Sequence, residues 1–251
     1  MAYRSHPLGV LKAPWRLLRT VLHVLHGMAV VAWVFPRMDE PGRHARIAHW
    51  SGGLLRCLGL TLQVSGRARP GATLLVANHV SWLDIAALHA VVPQARFVSK
   101  ADVKHWPLVG KMVAGAGTLF IERTSKRDAL RVVHAMADAL AGGQTVAVFP
   151  EGTTGPGPEL LNFHANLLQA AIATGTPVQP AVLRYRDPQH RFSPAAEFVG
   201  DTTLLQSIWA TLRATGLQAV VHYGEPQRAE GRDRRTWAQD LRDAVTALRE
   251  D

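Results

Sequence analysis

From residue 71 onward, six short apolar runs alternate with longer stretches of helical spacing; the runs fall at 73–77, 96–99, 118–121, 145–149, 178–183 and 218–223. Strands separated by helix-length segments are joined by crossovers, and crossovers make parallel pairs. The chain is therefore expected to fold as α/β, with a mixed, largely parallel central sheet flanked by helices. The clearest helix is 125–141. Ser125 and Asp128 give its start signal, Leu130, Val133, Ala137 and Leu140 recur on one face, and Gly142-Gly143 ends it. A last helix is expected over 232–248.

The first seventy residues follow a different pattern. Residues 17–35 form an apolar run of nineteen that would reach about 28 Å as a helix, close to the thickness of a bilayer's hydrocarbon core. Arg19, His23 and His26 lie in its first half, so insertion along the surface competes with a full crossing. A second segment, 43–62, has the spacing of an amphipathic helix resting on the membrane or on the first helix. Trp15, Trp33 and Trp50 serve either as interfacial anchors or as packing. The expected division is 1–70, a membrane-associating helical pair, and 71–251, the α/β domain.

Charge follows the same division. Of the net +9, residues 1–70 contribute ten Lys/Arg against two Asp/Glu, and the remainder is almost neutral. Cations interleaved with apolar stretches suit an anionic lipid surface, and nucleic acid is not expected as a partner. Cys57 is the chain's single cysteine, which excludes an intramolecular disulfide and suits a cytoplasm-facing location.

Three of the strand runs end in polar groups that a core strand does not need: Asn78-His79, Glu122-Arg123 and Pro150-Glu151. In a largely parallel sheet such ends share one edge, where α/β proteins bind ligands. His79 and Asp84 stand in an H-x4-D arrangement at a strand-to-helix turn. A carboxylate at Nδ1 fixes the tautomer and frees Nε2 to take a proton, leaving a general base that needs a substrate hydroxyl as nucleophile. Taken alone, the pair serves as well for packing or for favouring a helix N-terminus. Arg123 offers a planar fork for a phosphate. Glu151 orients Arg123 or accepts from a substrate hydroxyl; a surface ion pair is the plain alternative for both.

The segments NHVSWLD (78–84), GTLFIER (117–123), FPEGT (149–153) and TPVQP (176–180) resemble, in order and spacing, the four blocks of the lysophosphatidic acid acyltransferase family, the bacterial PlsC-like enzymes. The resemblance covers roughly 74–185. It implies a catalytic His79 with Asp84, a phosphate-binding Arg123, and Glu151 with Gly152 in acceptor binding. Asn78 and Pro180 belong to blocks that shape the pocket, and Lys100 stands where relatives often carry a cation near the phosphate. The reaction implied is acyl transfer from acyl-CoA or acyl-carrier protein, as co-substrate, to a lysophospholipid acceptor, without metal or other cofactor. The location implied is a bacterial inner membrane, with the catalytic domain facing the cytoplasm. One departure stands out: relatives acting on lysophosphatidic acid often follow F-P-E-G-T with Arg, whereas this chain continues Thr154-Gly155-Pro156-Gly157. Similar stretches occur in lyso-ornithine-lipid acyltransferases, which makes that lipid the alternative acceptor.

Other chemistries lack their residues. No serine sits in G-x-S-x-G, no H-E-x-x-H or paired cysteines are present, and Phe120 takes the place of the third glycine of a dinucleotide fingerprint. A membrane lipid-binding scaffold with no activity is the remaining non-enzymatic alternative.

Overall fold

The order of elements follows from where the chain can and cannot continue a helix. In the computed structural model, which describes residues 7–100, 115, 117–121 and 126–250, helix α1 (Pro7–Ala29) runs into a π turn (Val30–Val34) and a short 3-10 turn (Phe35–Arg37) that contains Pro36. Asp39 caps helix α2 (Glu40–Leu58), accepting from Gly42 N at 3.0 Å, and Gly59 ends it at φ +92°, in the left-handed region.

That stop divides the segment 43–62, expected as one helix, between a helix and a strand. Strand β1 (Thr61–Ser65) follows at once, so the sheet opens inside the stretch expected to hold only N-terminal helices. It is an edge strand with a mostly exposed, polar-mixed sequence, TLQVS, and carries little of the apolar run that marks the others.

The remaining elements are β2 (Thr73–Ala77), α3 (Leu83–Val91), β3 (Arg96–Lys100), β4 (Leu119–Ile121), α4 (Lys126–Ala141), β5 (Thr145–Val148), α5 (Gln169–Thr174), β6 (Val178–Arg186), α6 (Leu204–Arg213), β7 (Gln218–Tyr223) and α7 (Arg234–Glu250). Among the described residues seven strands form one sheet, in the order β1-β7-β6-β2-β5-β3-β4. Every pairing is parallel except β6 with β7, as expected for a mixed, largely parallel sheet.

Period-two alternation splits the core between the two faces. Leu75 and Ala77 of β2, Ala147 of β5, and Ala181, Leu183 and Tyr185 of β6 join the cluster beneath α2, α3 and α6. Leu74, Val76, Val146, Val148 and Val178 face the cluster formed with α4, α5 and α7, centred on Met136, Trp237 and Leu241. In α4 the inward face differs from the expected one: Val132, Val133, Met136, Ala139 and Leu140 are buried, whereas Leu130 is exposed.

Two polar residues of α1, Arg16 and His23, fasten it to the domain. Arg16 Nη1 donates to the carbonyls of Leu212 (2.8 Å) and Ala214 (2.6 Å) at the end of α6. His23 stacks on Trp50, and each ring reaches the other residue's carbonyl, so Trp50 is a packing residue. Gly9 permits the close approach: a Cβ there would lie 1.9 Å from the carbonyl oxygen of Arg213. The opposite face of α1 is apolar and exposed, with Leu11 81% and Trp15 63% accessible, and Trp33 beyond it 70%. The span Pro7–Arg37 is the one stretch among the described residues long and apolar enough to cross a membrane, with mean hydropathy 1.6. α2, by contrast, buries Leu54, Leu55 and Leu58 in the core and packs mainly on α1 and α3.

Candidate functional site

The carboxyl ends of β2 and β5 are neighbours in the sheet, and the H-x4-D and F-P-E-G segments leave from them side by side. β6 flanks β2 on its other side and runs on past it: the β2–β6 register ends at Ala77↔Ala181, while β6 continues to Arg186. Asn78 uses this overhang. Its amide donates to Leu183 O at 2.9 Å and accepts from Leu183 N at 2.8 Å, adding a side-chain rung to the ladder and holding the next residue, His79, at the sheet edge.

Asp84 lies in the first turn of α3 and is fully buried. Its Oδ2 meets His79 Nδ1 at 2.7 Å and also accepts from Val80 N (2.7 Å) and Ser81 N (3.0 Å). Its Oδ1 accepts from the Tyr185 hydroxyl at 2.7 Å. Val80 N, Ser81 N and the Tyr185 hydroxyl all donate to Asp84, so its carboxylate stands as an acceptor towards His79 and favours the tautomer with the hydrogen on Nδ1. The imidazole is only part-buried, and it stacks on Phe149 with ring centroids 4.1 Å apart and planes within 11°. The electron-rich ring face favours a cation, so Phe149 adds to Asp84 in stabilising an imidazolium.

Glu151 is held at both carboxylate oxygens by backbone N–H groups. One carboxylate oxygen accepts from His79 N at 2.7 Å and the other from Leu161 N at 2.8 Å, with the side chain buried. Burial pushes its carboxyl above the ordinary carboxylate range, and these two N–H groups pull it back. Gly155 N completes the tie by donating to His79 O at 2.7 Å, so both peptide groups of His79 are held by the 151–155 loop. Gly152 turns that loop at φ +73°, where a Cβ would lie 3.0 Å from the His164 ring. Thr154 donates its hydroxyl to Phe198 O.

Pro180 sits within β6 opposite Val76, with its carbonyl accepting from Gly224 N at 2.9 Å just beyond the end of β7, where a missing N–H breaks no ladder bond. The strand it belongs to delivers Leu183 and Tyr185 to the catalytic loop. Lys100 ends β3, paired with Ile121 of β4. Both strands run parallel to β5, so they end on the same edge as His79. Arg123 lies outside the described residues.

Tyr185 and Phe149 were missed as site residues from sequence. Phe149 stood inside a strand run, yet it follows the last strand residue, Val148. Tyr185 lay beyond the expected end of its strand, and the overhang of β6 is not encoded in the β2 sequence. Among the described residues, no group of three or more His, Cys, Asp or Glu is arranged to hold a metal ion.

Comparison with known proteins agrees with this geometry. The acyltransferase family profile matches residues 61–184, beginning at β1 and ending within β6. The lyso-ornithine lipid O-acyltransferase of Pseudomonas aeruginosa is 37% identical over 230 residues, 87% of this chain and 86% of that one. The 1-acyl-sn-glycerol-3-phosphate acyltransferase of Neisseria meningitidis is 35% identical over 209 residues, covering 82% and 81%. The crystal structure of PlsC from Thermotoga maritima superposes with a TM-score of 0.67 at 20% identity, over 94% of this chain and 96% of that one, and shares the fold. With a His-Asp pair held at the common edge of β2 and β5, and relatives of this identity and extent, the chain belongs to the PlsC-like acyltransferase family.

Proposed function

We propose that the protein transfers a fatty acyl group from acyl-CoA or acyl-carrier protein to the free hydroxyl of a lysophospholipid, with lysophosphatidic acid as acceptor, in bacterial phospholipid biosynthesis. The observation that carries the mechanism is the 2.7 Å contact between His79 Nδ1 and an Asp84 carboxylate that only accepts. It leaves Nε2 unprotonated and part-exposed. His79 Nε2 takes the proton of the acceptor hydroxyl as its oxygen attacks the thioester carbonyl carbon. The tetrahedral adduct then collapses, the carbon–sulfur bond breaks, and the same Nε2–H protonates the departing thiolate, giving an ester and a free thiol. A base so placed contributes about 10² to 10⁴ in rate.

Arg123 and Lys100 bind the acceptor phosphate in this reading. Gly152 shapes the acceptor site, while Glu151 acts on it through the His79 backbone. The exposed apolar face of α1 holds the enzyme at the inner membrane with the catalytic domain in the cytoplasm.

A second acceptor is favoured by one feature. The position after F-P-E-G-T, where an Arg would contribute a cation, carries Thr154 with its hydroxyl committed to Phe198 O. A site with one cation fewer suits a headgroup carrying its own ammonium, which is the case for lyso-ornithine lipid. Purified protein offered each acceptor with each donor decides between them. Esterification of lysophosphatidic acid supports the first reading, selective use of lyso-ornithine lipid supports the second, and transfer to neither sinks both.

A further inference from the structure

We infer that Tyr185 is a positioning residue for the catalytic pair: its hydroxyl holds Oδ1 of Asp84, keeping Oδ2 on the His79 imidazole and setting how strongly that carboxylate holds the imidazolium. The inference rests on the acyltransferase reading above and deepens it.

The geometry has three parts. Tyr185 lies on the overhang of β6, beyond the last β2–β6 pair, on the sheet face that carries Ala181, Leu183 and the contacts to α3. Both its side chain and that of Asp84 are sealed from solvent, so no water stands in for the phenol. Oδ2 has three donors, whereas Oδ1 has Tyr185 alone among the described residues. Burial and the neighbouring Asp84 charge push the Tyr185 ionisation well above its ordinary value, so the phenol stays a donor throughout the working pH range.

Removing the hydroxyl strands a buried carboxylate oxygen. The carboxylate can answer only by turning, which takes Oδ2 away from Nδ1, or by concentrating its charge on the imidazole. Among the described residues, the other charged groups near His79 are Glu151, on its backbone N–H, and Arg249, which interacts with Glu151. Neither touches Asp84, so neither replaces the phenol.

The test is Tyr185→Phe in the full chain, with the lysolipid and thioester that the unaltered enzyme turns over. The expected result is a fall in kcat of about 10- to 100-fold, the loss of one hydrogen bond to a charged group, with KM within about twofold. The acid limb of the kcat profile moves to higher pH, because a carboxylate no longer sharing its charge with a phenol retains the imidazolium proton more strongly. In the Asp84→Asn background the Tyr185→Phe change has little further effect, since the phenol acts through that carboxylate. A 3-fluorotyrosine at position 185, nearly isosteric and a stronger donor, moves the acid limb the opposite way and decides the matter should the Phe variant not fold.

An unmoved acid limb in these variants, or a full additional loss in the Asp84→Asn background, overturns the inference. Absence of transfer by the unaltered enzyme defeats the acyltransferase reading instead. The low-field proton resonance of the His79 N–H then decides Tyr185 alone: it shifts in Tyr185→Phe if the phenol tunes the pair, and an unshifted resonance refutes it.

Discussion

At the sheet edge polar side chains are buried and paired, while along the outer face of α1 large apolar side chains are exposed. Asp84 accepts four hydrogen bonds, Asn78 forms a two-bond rung and Glu151 bridges two loops; among the described residues the Ser81 hydroxyl is a buried exception, without a partner. α1 divides these habits between its faces. Its inner face holds Arg16 and His23 bonded to carbonyls of α6 and α2, and its outer face presents leucines to the surroundings. A buried polar group is held to one geometry because losing a partner costs its full desolvation. An exposed leucine is held to none. The catalytic edge should therefore respond sharply to single atoms, and the outer face of α1 only to accumulated area.

His79→Ala tests the sharp end with the largest expected effect. Turnover should fall about 10²- to 10⁴-fold, or roughly 3–5 kcal/mol in barrier, with only a modest drop in melting temperature, because Oδ2 of the buried Asp84 keeps its two backbone donors when the ring is lost. Steady-state rates set against a thermal melt check this. A variant retaining most of its turnover would return the protein to the lipid-binding scaffold considered from sequence.

Glu151→Gln asks whether the carboxylate belongs to the loop tie or to the substrate. Both oxygens accept from backbone N–H groups, and an amide supplies one acceptor and one NH2, so either His79 N or Leu161 N then faces a donor. Stability should fall by about 1–3 kcal/mol, with a kcat loss that follows the disturbed His79. Denaturant unfolding reads this directly. A change confined to the KM for the acceptor, with stability intact, would return Glu151 to the acceptor-binding role expected from sequence.

Much of the fold was legible because its strands are short apolar runs bounded by polar turns, and β2 and β7 agree with the expected limits. β1 was not, because an edge strand needs no continuous apolar face and TLQVS follows a helix stopped only by Gly59. The His-Asp pair and the meeting of the H-x4-D and F-P-E-G segments were legible from spacing and from parallel-sheet topology. The partners of Asp84 and Glu151 were not. Tyr185 lies 101 positions from Asp84 and Leu161 ten from Glu151, and neither separation leaves a periodic signal.

The inner face of α1 should behave like the catalytic edge despite its apolar neighbourhood. Gly9→Ala places a Cβ on the Arg213 carbonyl, a backbone atom that cannot rotate away. α1 must lift from α6, at about 1–3 kcal/mol for an overpacked contact. A lowered melting temperature for Gly9→Ala, beside an unchanged one for a substitution on the outer face, would locate the boundary between the two regimes within a single helix.

Leu11→Ser supplies that outer-face control and is the smallest effect expected. Leu11 is among the most exposed of the large apolar residues, so folding stability should move by no more than about 0.5 kcal/mol. Membrane affinity is a different matter, since the exposed face acts through the area it buries in lipid. One leucine exchanged should weaken partition onto anionic vesicles by several-fold, about 1 kcal/mol of lost apolar burial, and Leu11, Leu18 and Leu22 exchanged together should lose far more. Vesicle flotation beside a thermal melt separates the two quantities. A triple variant that melts unchanged and still floats would show that the exposed face is not the lipid contact, leaving the comparison to rest on the catalytic edge alone.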